Sequence, residues 1–299
     1  MELFFNFEEI KIEFERIVDA IRVELGATAK AVIGLSGGLD SDVVARLAVR
    51  AVGAERIKLF LVNQEAMEER HRQYAWQTAN DLGIPLVVIE MAELPQAIIC
   101  AMAAADPSEM FQPSGLLDPA RAKCSLRTVI FSTYQDRGYV VLGTSNRTEF
   151  ETGFFLPLGD GVWHFGPIAH LYKSQVMQLA PLAGSRPEVI IQPPSAGFWQ
   201  GQEDLEDLSY WLYNGGPIGR EVIFTDEDDI KVQEIRKQLS TEGVDQVLLA
   251  LAQDAEDKDA CAISSLPLMI VEQLRKLCEN AREKKHRPLG RRLDFRSRA

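Results

Sequence analysis

Residues 31–48 constrain this chain more than any other stretch. The apolar run Ala31-Val32-Ile33-Gly34-Leu35 breaks at Ser36-Gly37-Gly38-Leu39-Asp40-Ser41 and resumes as Val43-Val44-Ala45-Arg46-Leu47-Ala48. A buried strand that turns through paired glycines into a helix lets backbone N–H groups approach an anion with no Cβ in the way. The helix points its positive end at the same spot. Ser36 and Ser41 can hydrogen-bond phosphate oxygens, and Asp40 adds a carboxylate that suits Mg2+ better than bare phosphate. The segment predicts a strand, a tight turn and a helix arranged around a metal-bound nucleotide.

Two common phosphate loops are excluded by spacing. One needs a lysine where Asp40 stands, and the G-x-G-x-x-G fingerprint cannot be laid over Gly34, Gly37 and Gly38. The chain of 299 residues, 46% hydrophobic, has material for one large domain or two small ones. No apolar run approaches the roughly 20 residues that span a bilayer. The first residues are acidic and aromatic, so no secretory leader and no membrane partner is expected. A net charge of −12 disfavours gripping nucleic-acid backbone, although Arg282, Lys284, Lys285, His286, Arg287 and the arginines beyond them form a basic tail. Cys100, Cys124, Cys261 and Cys278 have no C-x-x-C spacing and read as reduced thiols of a cytoplasmic protein, with Cys100 and Cys278 as buried filler.

Periodicity predicts an amphipathic helix over 7–25, then strands at Lys58–Val62 and Pro85–Glu90. Further helices are predicted around Met67–Leu82, Leu94–Ala104 and Ser125–Gln135, followed by a strand-like run from Tyr139 to Thr144. Apolar strands alternating with helices imply an α/β fold, a doubly wound parallel sheet with helices on both faces. In such sheets the ligand lies beyond the carboxyl ends of the strands, where strand order reverses. Ser36 and Thr144 both stand at such ends, so two strand tips are expected to face one nucleotide. Residues 184–219 read as an ordered loop leading to a short helix at Asp204–Tyr213, and helices dominate to about residue 280. The expected division is an α/β unit over 1–208 and a mainly helical C-terminal extension over 209–299, packed on the same domain.

The hexapeptide S-G-G-x-D-S resembles the loop of the N-type ATP pyrophosphatases, which cleave ATP to AMP and pyrophosphate. The second specific stretch is Gly143-Thr144-Ser145-Asn146-Arg147-Thr148-Glu149, with Gly153-Phe154-Phe155, Gly159-Asp160-Gly161 and Leu171-Tyr172-Lys173-Ser174-Gln175 after it. Downstream stand Gln192-Pro193-Pro194-Ser195-Ala196 and Gly201-Gln202-Glu203-Asp204. Together these strings are similar to the ammonia-dependent NAD synthetases, over Gly34 to about Leu208, with an echo at His286-Arg287.

The resemblance implies an adenine nucleotide alpha hydrolase-like fold. The implied reaction is ATP-dependent adenylation of a carboxylate, deamido-NAD, followed by amination with ammonia to give NAD and AMP. It implies that Gly34, Leu35, Ser36, Gly37, Gly38, Leu39, Asp40 and Ser41 hold ATP with Thr144, Lys173 and Ser195. Asp40 and Glu149 carry Mg2+, and Asp40, Lys173 and Ser195 take the catalytic roles. A homodimer with the acceptor near its interface is implied as well, and the chain has no space for a fused glutaminase domain.

The acceptor side departs from the family pattern. Of the A-R-x-R-M string only Arg127 fits plainly, and Arg121 or Lys123 is left as the substitute for the first arginine. Pro157 replaces a substrate-binding lysine, and His164 stands in place of an aspartate. Proline offers neither charge nor side-chain donor. Arg127, His164, His286 and Arg287 are therefore the candidate acceptor groups. Two further alternatives stay open: activation of a different carboxylate, and a catalytically silent ATP-binding protein.

Overall fold

The computed structural model describes residues 2–63, 67–197, 200–219 and 222–286, and the side chains of 282–286 lie outside that description. In chain order the elements are α1 (Phe7–Leu25), β1 (Lys30–Gly34), α2 (Leu39–Val52), β2 (Ile57–Asn63), α3 (Glu69–Asp81), β3 (Leu86–Glu90), α4 (Leu94–Ala105), α5 (Leu117–Gln135) and β4 (Tyr139–Val141). Then come α6 (Arg147–Thr152), α7 (Lys173–Ala183), α8 (Pro187–Ile191), α9 (Asp204–Asn214), α10 (Asp226–Arg236), α11 (Thr241–Ala252), α12 (Asp257–Ser264) and α13 (Leu268–His286).

The four strands form one parallel sheet in the order β3-β2-β1-β4. The chain therefore steps outward from β1 to β3 and returns to the far side of β1, so strand order reverses between β1 and β4. Alternation along the strands divides the sheet between two cores. Ala31, Ile33, Leu59 and Leu61 face α1, α2, α3 and α7. Val32, Phe60, Val62 and Val141 face the other way, onto Leu126, Ile130, Phe131 and Tyr134 of α5. A third cluster gathers α9–α13 around Val247, Val271 and Leu274, and takes in Leu3 and Tyr172.

Polar clamps fix the helices near the sheet. Asp42, fully buried on α2, accepts from Arg46 Nε at 2.9 and 3.0 Å and from Thr78 Oγ1 at 2.7 Å. Arg46 also reaches Asp81 at 3.0 Å, and Asp81 accepts from Arg186 at 2.7 and 2.8 Å. A buried ion pair with every acceptor filled avoids the penalty of an uncompensated charge.

Four local expectations need correction. Helix α5 starts at Leu117, eight positions before the apolar periodicity suggests, because Asp118 accepts from the Gln112 backbone N–H at 2.8 Å and steadies its first turn. Strand β4 stops at Val141, since beyond Leu142 the backbone turns to Phe165 and the Gly143 N–H donates to the Phe165 carbonyl at 2.8 Å. Cys100 is exposed on α4 and not buried, whereas Cys278 is buried. The loop expected over 184–219 also contains the short helix α8.

Candidate active site

The glycine turn hangs from the end of β1. The Leu35 N–H donates to the Phe60 carbonyl at 2.7 Å, and the chain then turns through Ser36 into α2. Ser41 Oγ donates to the Gly38 carbonyl at 2.9 Å and accepts from the Ser36 N–H at 3.1 Å, while Ser36 Oγ accepts from the Gly38 N–H at 3.2 Å. Gly37 has φ +82°, and a Cβ there would lie 2.0 Å from the His71 carbonyl. Only glycine fits. Gly38 caps α2 with no side-chain bond, which leaves first-turn N–H groups open to an anion.

Asp40 extends from this turn toward the end of β4. Its Oδ1 accepts from Asn146 Nδ2 at 3.3 Å, its Oδ2 accepts from Lys173 Nζ, and the same Asn146 amide donates to Glu149 Oε1 at 2.8 Å. Asn146 is the N-cap of α6, with its Oδ1 accepting from the Glu149 N–H at 3.1 Å. One cap residue thus fixes the two carboxylates relative to each other. Burial, with Asp40 close behind it, pushes the Glu149 carboxyl well above the ordinary range. For Lys173 burial pulls downward, but Asp40 outweighs it and the ammonium is favoured. Like charges buried side by side are relieved by a cation between them. Hard carboxylate oxygens, with phosphate and water supplying the rest, suit Mg2+. Among the described residues no three His, Cys, Asp or Glu side chains form a metal cage by themselves.

Asp40, Glu149 and Lys173 line a cavity of about 330 Å3 together with Ser36, Gly38, Leu39, Ser41, Thr144 and Ser195. A second hollow of about 120 Å3 opens beside it over the ends of β1, β2 and β4, lined by Gly34, Leu35, Val62, Phe131, Thr144 and Ser195. Gly37 supports the turn from behind. Ser195 Oγ accepts from the Gly197 N–H at 3.1 Å.

On the far wall, α5 turns Arg121, Cys124 and Arg127 onto the large cavity, at the i, i+3 spacing of one helix face. Arg121, and not Lys123, is therefore the residue that shares the wall with Arg127. Burial and the adjacent Asp160 push the Cys124 thiol up to about 12, so it stays protonated and donates to Asp160 Oδ1 at 3.4 Å. Opposite stand Phe154, Leu156 and Trp211, with Phe154 and Trp211 ring centroids 4.9 Å apart.

His164 is not among the residues lining either hollow. Its Nδ1 accepts from the Val141 N–H at 2.8 Å, so the imidazole completes the edge of β4. Trp163 packs where a Cβ on Gly143 would meet it at 2.4 Å. His286 ends α13 with its side chain outside the described residues, and Arg287 lies outside them altogether.

The site also contains groups that sequence reasoning missed as site residues. Asn146, Asp160 and Asp204 stood inside quoted motifs with no role attached. Asp204 lines the cavity with one buried oxygen that has no partner among the described residues, and burial pushes its carboxyl up to about 6. Burial likewise pushes Asp207 up to about 7, although Gln202 donates to it at 2.6 Å. His71 faces both hollows from α3, held toward the neutral form by burial and by Arg70. No local motif marks His71.

A glycine turn at a strand end, facing a cavity across from strand-end carboxylates at the reversal point, defines a nucleotide-binding α/β protein of the ATP-pyrophosphatase class. Comparison with known proteins narrows that class. The model of the NAD synthase family matches residues 13–243, and the chain belongs to that family. It is 28% identical over 288 residues to an NH3-dependent NAD+ synthetase of Pyrococcus furiosus, covering 95% of this chain and 97% of that one. In fold it is similar to an NMN synthetase from Francisella tularensis, with TM-score 0.70, 21% identity, and 97% of this chain and 100% of that one covered. An NH3-dependent NAD synthetase from Campylobacter jejuni aligns with TM-score 0.65 and 20% identity, over 95% and 99% of the two chains.

Proposed function

We propose that this protein is an ATP-dependent amide-forming ligase that adenylates the nicotinate carboxylate of deamido-NAD and then aminates it with ammonia. The observation that carries the reading is the Asp40–Asn146–Glu149 group, with Lys173 on Asp40, facing the cavity beyond β1 and β4. In this reading the adenosine occupies the hollow at the strand ends, and the phosphates lie over the glycine turn. Asp40 and Glu149 hold Mg2+. When bound, the ion neutralises charge on the departing pyrophosphate.

Lys173 Nζ has three donors, so one can stay on Asp40 while the others reach phosphate oxygens. With the open N–H groups of α2 it stabilises the charge that grows as the α–β phosphate bond breaks. The carboxylate oxygen attacks the α-phosphorus and pyrophosphate leaves. Ammonia then attacks the carbonyl carbon of the acyl adenylate, and AMP leaves with the bridging oxygen. The protein supplies no nucleophile, and its contribution is positioning and electrostatics. Retention of both carboxylates argues against a silent ATP-binding protein. Free ammonia is the nitrogen donor in this account.

A second reading concerns the acceptor. Pro157 carries no donor, and His164 is spent on the Val141 backbone, so the two contacts expected for the dinucleotide are absent. Such charge-assisted contacts contribute about 1.5–3 kcal/mol each. A smaller carboxylate, nicotinate mononucleotide, would present fewer groups for such contacts, and the chain is similar in fold to a protein described as an NMN synthetase. Arg121 and Arg127, both on the cavity wall, would face its single phosphate. We also assign a homodimer, supported by the exposed Leu94, Met102, Met110, Leu116 and Val129 along α4, α5 and their connection. A cytoplasmic setting accords with four free cysteines. No helix among the described residues is long and apolar enough to cross a membrane.

The test supplies purified protein with Mg2+, ATP, ammonium and each acceptor in turn. Release of AMP, pyrophosphate and NAD from deamido-NAD supports the first reading. A kcat/KM higher for the mononucleotide moves the assignment to the second, and no ATP turnover with either removes both.

A further inference from the structure

The carboxylate of Asp245 lies on α11, in the helical region that no motif links to the site, and it is fully buried. Its Oδ2 accepts from the Ser174 N–H at 2.8 Å and from Ser174 Oγ at 2.6 Å. Its Oδ1 accepts from Thr148 Oγ1 at 2.6 Å, and Thr148 Oγ1 in turn accepts from the Lys173 N–H at 2.9 Å. One carboxylate therefore satisfies, directly or through one hydroxyl, the first two N–H groups of α7, donors that no helical carbonyl can reach. Burial raises the Asp245 carboxyl, whereas the bonds from Ser174 and Thr148 and the positive end of α7 favour its ionised form. Thr148 and Lys173 immediately adjoin the site, since Glu149 follows Thr148 and Lys173 is itself the residue on Asp40.

We infer that Asp245 is a positioning residue for the reaction: it locks the start of α7 to α6, and so holds Lys173 and Glu149 at the separation that one metal-bound triphosphate requires. Three donors converge on two oxygens with no donor of their own, a demand that an ionised carboxylate meets in full. The side chain touches neither cavity wall nor reacting atom. It acts through Thr148 and Ser174, and it makes the C-terminal helices part of the catalytic geometry. The inference rests on the role proposed above for Lys173.

The test compares Asp245→Ala, Thr148→Val and Lys173→Ala, with Thr148→Val also placed on the Lys173→Ala background. Readouts are kcat per folded molecule, KM for the acceptor, and affinity for a non-hydrolysable ATP analogue with Mg2+. Displacement of a catalytic group by about 1 Å costs on the order of 100-fold. Asp245→Ala and Thr148→Val are therefore expected to lower kcat by about 10- to 100-fold while the acceptor KM stays within about twofold. Thr148→Val is expected to weaken analogue binding in the wild-type background and to add nothing once Lys173 is removed. A variant that melts earlier yet turns over at the wild-type kcat per folded molecule overturns the inference, as does a loss that multiplies in the double variant. If Asp245→Ala does not fold, Thr148→Val alone decides, because it removes one hydroxyl and keeps the Ser174 bonds. If Lys173→Ala keeps wild-type kcat and analogue affinity, the site reading fails instead, and that outcome is separate from the ones above.

Discussion

Gly37 shows how much a single position decides. Its φ of +82° and the His71 carbonyl 2.0 Å from any added Cβ leave no conformation for alanine. Gly37→Ala is expected to remove measurable binding of a Mg2+–ATP analogue in calorimetry, and wild-type affinity would contradict that. The residues of the turn, with Glu149 and Lys173, were legible because each sits in a short string next to a strand or helix end. Other positions depended on rotation or reach. Arg121 and Lys123 differ by two residues, and only the phase of α5 turns Arg121 onto the cavity. His164 is a polar residue at a motif position, yet a backbone N–H claims its ring. Asp245 reaches Thr148 and Ser174 across 97 and 71 positions, a separation that no sequence window brings together.

At the scale of elements, the strands were legible from apolar runs and most helices from period, while α5 and β4 differed where a bond between the Asp118 side chain and the preceding loop, or a neighbouring loop, overrode local pattern. The clamps between helices were not legible, because they join residues on different elements. Two of them give measurable expectations. Asp42→Ala removes the acceptor shared by Arg46 and Thr78 and is expected to cost about 3 kcal/mol in chemical denaturation, the low end for a broken buried pair because Arg46 keeps Asp81. A loss under about 0.5 kcal/mol, the range of ordinary surface substitutions, would count against it.

Helix α1 is tied to the chain before α7 by Glu13, which accepts from His170 Nε2 at 2.6 Å and from Arg16. Burial raises the Glu13 carboxyl, but the bonds from His170 and Arg16 outweigh it and hold it at about 2 against an ordinary 4.5. A depressed carboxyl stabilises the fold above its unfolded value, and that stability is lost as pH falls toward the folded one. The advantage of the native chain over Glu13→Gln should therefore be full at neutral pH and shrink below about pH 4.5. Urea titrations across that range that show a constant gap would refute it.

For the whole molecule, the sheet order places the carboxyl ends of β1 and β4 side by side, which sets the Ser36–Ser41 turn beside Thr144 and Glu149, while Lys173 and Ser195 reach the site from α7 and from the loop before α9. The α4–α5 side leaves large apolar side chains in water, and we expect a second copy to cover them. Met110→Glu with Val129→Glu should convert a dimer to a monomer in sedimentation, while a native monomer at micromolar concentration would oppose that assignment.

The central claim is that this cavity joins a carboxylate to the α-phosphorus of ATP before ammonia arrives. Its most direct measurement uses deamido-NAD, or the mononucleotide acid, labelled with oxygen-18 in the carboxylate, followed by mass analysis of the AMP released. Transfer of one labelled oxygen into the AMP phosphate is the predicted result. Unlabelled AMP, or ADP and phosphate as the products, would contradict the account.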